Sequence, residues 1–120
     1  MASSVAHDAH NLVIVGVRNS DILRAAGVLE EMGGGFAFVV DGEVLAKVPL
    51  PYGGLVSPLS AHELVQQLHS LDAAAAELGC RLQHPCMILS FLSLSVIPSL
   101  KLTDQGLVDV ETFKLIPLQG

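Results

Sequence analysis

The sequence predicts an α/β domain, bordering on α+β, in which a mixed β-sheet carries two main helices. Three observations predict it: two stretches with apolar residues at helical spacing, short apolar or alternating runs between them, and a turn signal at nearly every junction. A chain of 120 residues fits one domain, spanning residues 1–120, and can bury a real core. Its 51% apolar and 15% charged content argues against disorder. With four Phe, one Tyr and no Trp, that core must rest on Val, Leu, Ile and Ala.

Each element follows from its own signals. Leu12-Val13-Ile14-Val15-Gly16-Val17 is a strongly apolar run and is expected to form a buried first strand. Asn19-Ser20-Asp21 then offers an N-cap with an acid in the first turn. Ile22, Ala25, Ala26, Leu29 and Met32 recur at helical spacing, and Gly33 supplies a left-handed stop. Phe36-Ala37-Phe38-Val39-Val40 is apolar on both faces, as a central strand is. Asp41-Gly42 is a strong hairpin signal and turns the chain into residues 43–48, where alternation places Glu43 and Lys47 on one face. Pro49, Pro51, Gly53 and Gly54 make an irregular crossing.

Ser60-Ala61-His62-Glu63 reads as a capping box, with Leu59 and Leu64 placed for a hydrophobic staple. Leu64, Leu68, Leu71, Ala75 and Leu78 form the apolar stripe of this second helix, and Gly79 ends it. Met87-Ile88-Leu89-Ser90-Phe91-Leu92 fits a strand or a short helix, and an extended segment is favoured. Leu107-Val108-Asp109-Val110 and Phe113-Lys114-Leu115-Ile116 close the chain as short extended pieces.

Composition narrows the partners. Twelve acids against six bases give a formal charge of −6, with no basic run and no aromatic–basic interleaving, so no nucleic-acid partner is expected. No basic stretch precedes an apolar one at the front, so no signal peptide is indicated. The most apolar segment, residues 87–100, is broken by Ser90, Ser93, Ser95 and Pro98 and is too short to span a bilayer. No membrane partner and a cytoplasmic location are therefore expected. Cys80 and Cys86 lack CxxC spacing and read as idle or buried thiols.

The chemistry-bearing residues concentrate at the front. His7, Asp8 and His10 stand immediately before the first apolar run. In an extended segment Asp8 and His10 share a face and His7 takes the other. A carboxylate beside an imidazole fixes its tautomer and raises its basicity, which suits acid–base work or support of a metal-bound group. Histidines three apart on a strand do not share one metal, so the pair is not a zinc motif. Structural hydrogen bonding is the alternative.

Other candidates carry less. Gly33-Gly34-Gly35 joins helix to strand, the reverse of a phosphate-cradling loop, and reads as a turn or a close backbone approach. His62 and His69 fall off the leucine stripe or at its margin and read as solvated. His84 precedes Pro85 and belongs to no recognisable constellation. No Ser/His/Asp order, paired carboxylates or four-ligand metal set is legible, so the chain looks incomplete as a self-contained enzyme.

Several segments in order carry a family resemblance: residues 3–11, Glu31-Met32-Gly33-Gly34-Gly35-Phe36, and residues 102–110. Val48-Pro49-Leu50-Pro51 with Gly54-Leu55, and residues 89–94 with Val96-Ile97-Pro98, fit the same pattern. Together they resemble the C-terminal domain of bacterial adenine deaminases, of the amidohydrolase superfamily, over essentially the whole chain. Two positions depart from that pattern. Ala9 stands where the family tends to have serine, and Ser95 where proline is expected.

The resemblance implies a parent enzyme that converts adenine and water to hypoxanthine and ammonia, within purine salvage. It implies a manganese or iron centre in a preceding TIM-type barrel, whose histidine, lysine and aspartate ligands have no counterparts here. No cofactor is expected in this chain, and Met1 is expected to be an introduced start or a truncation. The expected partners are the preceding barrel, adenine as the parent's substrate, and a second copy of the chain through apolar surface that the barrel once covered. The candidate accessory catalytic residues are His7, Asp8 and His10, and the candidate substrate contacts are Asn11, Gly34 and Gly35. The alternative is a non-catalytic docking or oligomerisation domain with structural front histidines.

Overall fold

Alternation along β3 (Gly35–Val40) sends Ala37 and Val39 to one side and Phe36 and Phe38 to the other, and helices cover both sides. The computed structural model describes residues 1–7 and 11–118. β3 is flanked by β1 (Ala2–Ser3) and by β4 (Glu43–Pro49), with β2 (Val13–Ile14) outside β1, giving the order β2-β1-β3-β4. Helix α1 (Asn19–Met32) buries Ala25, Val28 and Leu29 against Ala2, Ala37 and Val39. Helix α2 (Ala61–Glu77) buries Leu71, Ala74 and Ala75 against Phe38, Val48 and Leu50 on the opposite side. The short helix α3 (Pro85–Ser90) adds Cys86 to that second cluster. A second sheet follows as a meander of β5 (Leu100–Thr103), β6 (Gly106–Asp109) and β7 (Lys114–Ile116).

The class is mixed α and β, as expected, but the sheet is not mixed. Every strand pair among the described residues is antiparallel. That places the domain on the α+β side: all hydrogen-bonded neighbours are antiparallel, while β2 and β3, both antiparallel to β1, run the same way and are joined through α1 around it.

The locally encoded features appear where the sequence puts them. The Ser60 hydroxyl accepts from the Glu63 N–H at 3.4 Å, and the Glu63 carboxylate accepts from the Ser60 N–H at 3.0 Å, completing the capping box. Gly33 ends α1 at φ 72°, with the Gly33 and Gly34 N–H groups closing onto the Glu30 and Leu29 carbonyls. Asp41 and Gly42, at φ 51° and 84°, form the hairpin tip between β3 and β4.

Five expectations are corrected. The apolar run of residues 12–17 gives only the two paired residues of β2, at the sheet edge, and Leu12, Val15 and Val17 stay exposed. The N-cap of α1 is Arg18 with no side-chain bond; Asp21 instead accepts from the Asp41 and Gly42 N–H groups and fastens the hairpin tip to α1. Residues 87–92 are not extended: Pro85 starts α3 at a position where its missing N–H costs nothing. Leu78 leaves the apolar stripe of α2 for solvent, and Ala74 takes a buried place beside Ala75. Glu43 and Lys47 do not share a face, because a register shift at Phe38/Val39 leaves Leu45 as an extra residue. Lys47 then pairs Ala37 on the α1 side, while Glu43 pairs Val40 on the α2 side.

Candidate functional site

Ser3 and Ser4 are both buried, which is unusual for hydroxyl side chains, and both are satisfied. The Ser3 hydroxyl accepts from the Val5 N–H at 2.9 Å and donates to the Val5 carbonyl. The Ser4 hydroxyl accepts from the Gly35 N–H at 2.7 Å and donates to the Gly54 carbonyl at 2.6 Å. Ser4 thereby ties the front strand to the α1–β3 turn and to the crossing segment.

This tie explains Gly34 and Gly35. Gly34 lies at φ 109°, where a Cβ would collide with the Gly54 backbone and come within 2.9 Å of Ser4 Oγ. Gly35, at φ 131°, faces the Val48 carbonyl at a separation no side chain fits. Both glycines therefore let backbones meet. Gly34 also borders a surface groove of about 600 Å³ with Leu12, Leu23 and Gly27.

From Ser4 the chain leads to His7, whose N–H donates to the Ser90 carbonyl at 3.0 Å. The His7 imidazole lies over the Phe91 ring, with centroids 4.5 Å apart and planes at 31°. Asp8 and His10 lie outside the described residues. Asn11 is exposed and lines a groove of about 1020 Å³ between β2 and the second sheet, together with Leu12, Leu102 and Phe113.

His7 also lines a smaller cleft of about 290 Å³, with Val5, Phe36 and Leu68 as apolar walls and Asp72 and His84 among its polar ones. His84, expected to stand alone, pairs with Asp72 of α2, Nδ1 to Oδ2 at 3.0 Å. The pair is largely solvated, so its stabilising effect is small. Cys86 lines the same cleft, but its thiol is pushed up to about 12, by burial first and by the Asp72 charge second. A protonated, buried thiol is no nucleophile. Cys86, His84 and Asp72 thus have the residue types of a nucleophile–base–orienter set without its reactivity.

Among the described residues no group of three His, Cys, Asp or Glu side chains is arranged to hold a metal ion. No helix among them is long and apolar enough to cross a membrane. His62 and His69 are exposed on α2.

Sequence reasoning missed three parts of this arrangement. Ser4 lies within residues 3–11, but its partners Gly35 and Gly54 are distant in the chain and nothing local signals the contact. The His7–Phe91 contact joins residues 84 positions apart, and nothing local signals it. Asp72 and His84 are separated by the end of α2 and a loop, and their pairing depends on His84 adopting a left-handed backbone at φ 50°.

Fold and site define a class: an α+β domain that carries a histidine-bearing front segment on a firmly tied base, with no catalytic metal set among its described residues. The family model for the adenine deaminase C-terminal domain matches residues 1–114. The chain is 52% identical over 117 residues to the adenine deaminase of Dehalococcoides mccartyi strain 195, covering 98% of this chain and 20% of that protein. It is 47% identical over 118 residues to the adenine deaminase of Oleidesulfovibrio alaskensis, covering 98% and 21%. To that of Archaeoglobus fulgidus it is 47% identical over 120 residues, covering 100% and 21%. The chain belongs to the adenine deaminase C-terminal domain family. It spans about a fifth of the length of these curated relatives.

Proposed function

We propose that this domain works as part of an adenine deaminase, which converts adenine and water to hypoxanthine and ammonia, and that its front segment helps close the active site of a preceding barrel. The observation that carries this reading is the family match over residues 1–114 in a chain that accounts for only a fifth of its relatives. On this reading manganese or iron belongs to the barrel, and no step assigned to this chain runs through it. Asp8 or His10 orients a ring nitrogen of adenine or a barrel side chain, and the segment excludes water from the bound base. The ties at Ser4 and His7 support this role, because a segment that positions substrate needs a fixed base.

Complementation tests the proposal. The isolated chain is expected to release no ammonia from adenine. Added to a parent enzyme truncated before this domain, it restores turnover, whereas a His7/Asp8/His10 triple alanine variant binds the barrel without restoring turnover. Deamination by the isolated chain overturns the proposal.

A second reading has its own observation. Leu12, Leu102, Phe113 and Leu115 are each more than half exposed and line one groove between β2 and the second sheet, a contiguous apolar surface rather than scattered residues. That surface suits a docking or oligomerisation domain with structural front histidines. Full turnover restored by the triple variant favours this reading over the first.

A further inference from the structure

β1 lies between two partners: Ala2 pairs with Ile14 of β2 on one side and with Ala37 of β3 on the other. β2 and β3 therefore stand roughly two inter-strand spacings apart, about 9.6 Å. The β2 pairing extends to Met1, whose ammonium donates to the Val15 carbonyl and whose carbonyl accepts from the Val15 N–H, each at 2.9 Å. A peptide N–H in place of the ammonium makes the same bond.

Beyond Met1 both flanks continue. β3 runs on through Val39 and Val40, which pair with β4 on their other side. The opposite flank runs on through Gly16 and Val17 to the start of α1. A cleft of about 330 Å³ separates the two flanks, lined by Val15, Gly16, Val17, Val39, Val40 and Leu78. It is in line with β1 and one strand wide.

The register of β1 defines what fits there. The Ser4 N–H donates to the Gly35 carbonyl, so alternation turns the backbone groups of Ala37 and Val39 to the same side of β3. Met1 and Phe38 pack on the α2 side of the sheet, and Ala2 and Val39 on the α1 side. Continued upstream, this register sets the first residue before Met1 against Val39 and Gly16. The second falls against Val40 on the α2 side, beside Val17 and Leu78. Val17 is fully exposed and Leu78 half exposed, so that second position is an apolar socket. A solvated pair between Arg18 and Asp41 joins the far ends of the two flanks and closes the cleft there.

We propose that this cleft is a strand-docking site, filled in the parent enzyme by the residues that lead from the preceding domain into β1, with an apolar side chain seated among Val17, Val40 and Leu78. This rests on the reading above that a barrel precedes the domain. The register argues for that occupant: a strand from elsewhere has to stop end-on against Met1, whereas the chain leading into β1 runs through the cleft. Domains joined in this way share a sheet, and their connection is not a flexible linker.

The test has two arms. In the first, the chain is extended before Met1 by Thr-Val-Thr, which puts the valine at the socket. The extended chain is expected to melt about 3 °C higher. Its amides at residues 15–17 are expected to exchange roughly tenfold more slowly. Thr-Val-Pro, which lacks the N–H that faces Val39, and Thr-Asp-Thr, which puts a carboxylate in the socket, are expected to show neither gain. Val17→Asp is expected to hold the melting temperature of the unextended chain within about 1 °C and to cancel the gain in the extended one. The second arm is hydrogen exchange in the full-length enzyme, where the two residues before β1 are expected to be protected at least roughly tenfold over an unstructured linker.

No gain from Thr-Val-Thr overturns the docking site and leaves the adenine deaminase reading standing. A gain in the first arm with linker-like exchange in the second overturns the assigned occupant. Exchange at residues 15–17 that slows in the unextended chain as its concentration rises gives the cleft to a second copy, and overturns that assignment too. Failure of the complementation above removes the reading on which the occupant rests, and the extension arm then still decides whether the cleft takes a strand.

Discussion

Ser4 shows how much one hydroxyl can organise when it is buried. It accepts from Gly35 and donates to Gly54, so three chain segments meet at a single oxygen. The meeting needs Gly34 to lack a Cβ and to hold φ 109°. Gly34→Ala is therefore expected to cost about 2 to 4 kcal/mol, from backbone strain plus overpacking. Urea unfolding measures this, and an unchanged midpoint would contradict it. Of the front cluster, the residue types were legible in the sequence, because histidines and an aspartate beside an apolar run stand out. What His7 rests on was not, because Phe91 is distant in the chain and reads as one more apolar residue. Cys86 gives a second check at this scale. With its thiol raised to about 12 by burial, Cys86 is expected to resist alkylation at pH 8 until the domain unfolds, while Cys80, less buried, reacts in the native state. Mass spectrometry after a short iodoacetamide pulse should find one modified thiol; two would contradict the burial.

Among the elements, α2 is the one most fully written in its own residues. Its capping box needs only contacts three residues apart, so sequence and structure agree at that end. The Glu63 carboxyl is held below the ordinary glutamate value of 4.5, by the Ser60 hydroxyl first and the Ser60 backbone second. A lowered folded-state pKa stabilises the fold above the unfolded value, and that stabilisation is lost as pH falls through the folded one. Wild type is therefore expected to melt above Glu63→Gln at pH 7, with the gap closing below pH 4.5. A gap that stays constant into acid would show that the box does not depend on the charge.

The elements read wrongly are those whose identity depends on distant neighbours. Residues 87–92 form a short apolar run, for which helix and strand periods are not separable; the helix start at Pro85 decides it. Residues 12–17 are apolar enough for a buried strand, yet the run lies at a sheet edge, with Leu12 and Val15 about half exposed and Val17 fully so. The faces of Glu43 and Lys47 were misread for a related reason, since a bulge is a property of two strands together.

For the molecule as a whole, two helices enclose a four-stranded sheet, and a separate three-stranded meander extends beyond it with Leu100, Leu102, Phe113 and Leu115 exposed. Together with Leu12 on the β2 side, this surface is expected to drive self-association of the isolated chain. Sedimentation velocity across a concentration series should show a dimer forming. A concentration-independent monomer would contradict the expectation. In the parent enzyme the same surface is proposed to meet the preceding barrel, and the front segment is proposed to lie near the barrel's mouth. The most direct measurement of that central claim is kcat/KM for adenine in the full-length enzyme carrying His10→Ala, with its melting temperature matched to wild type. The account predicts a loss of at least about tenfold, near 1.4 kcal/mol of transition-state stabilisation. An unchanged kcat/KM would contradict it.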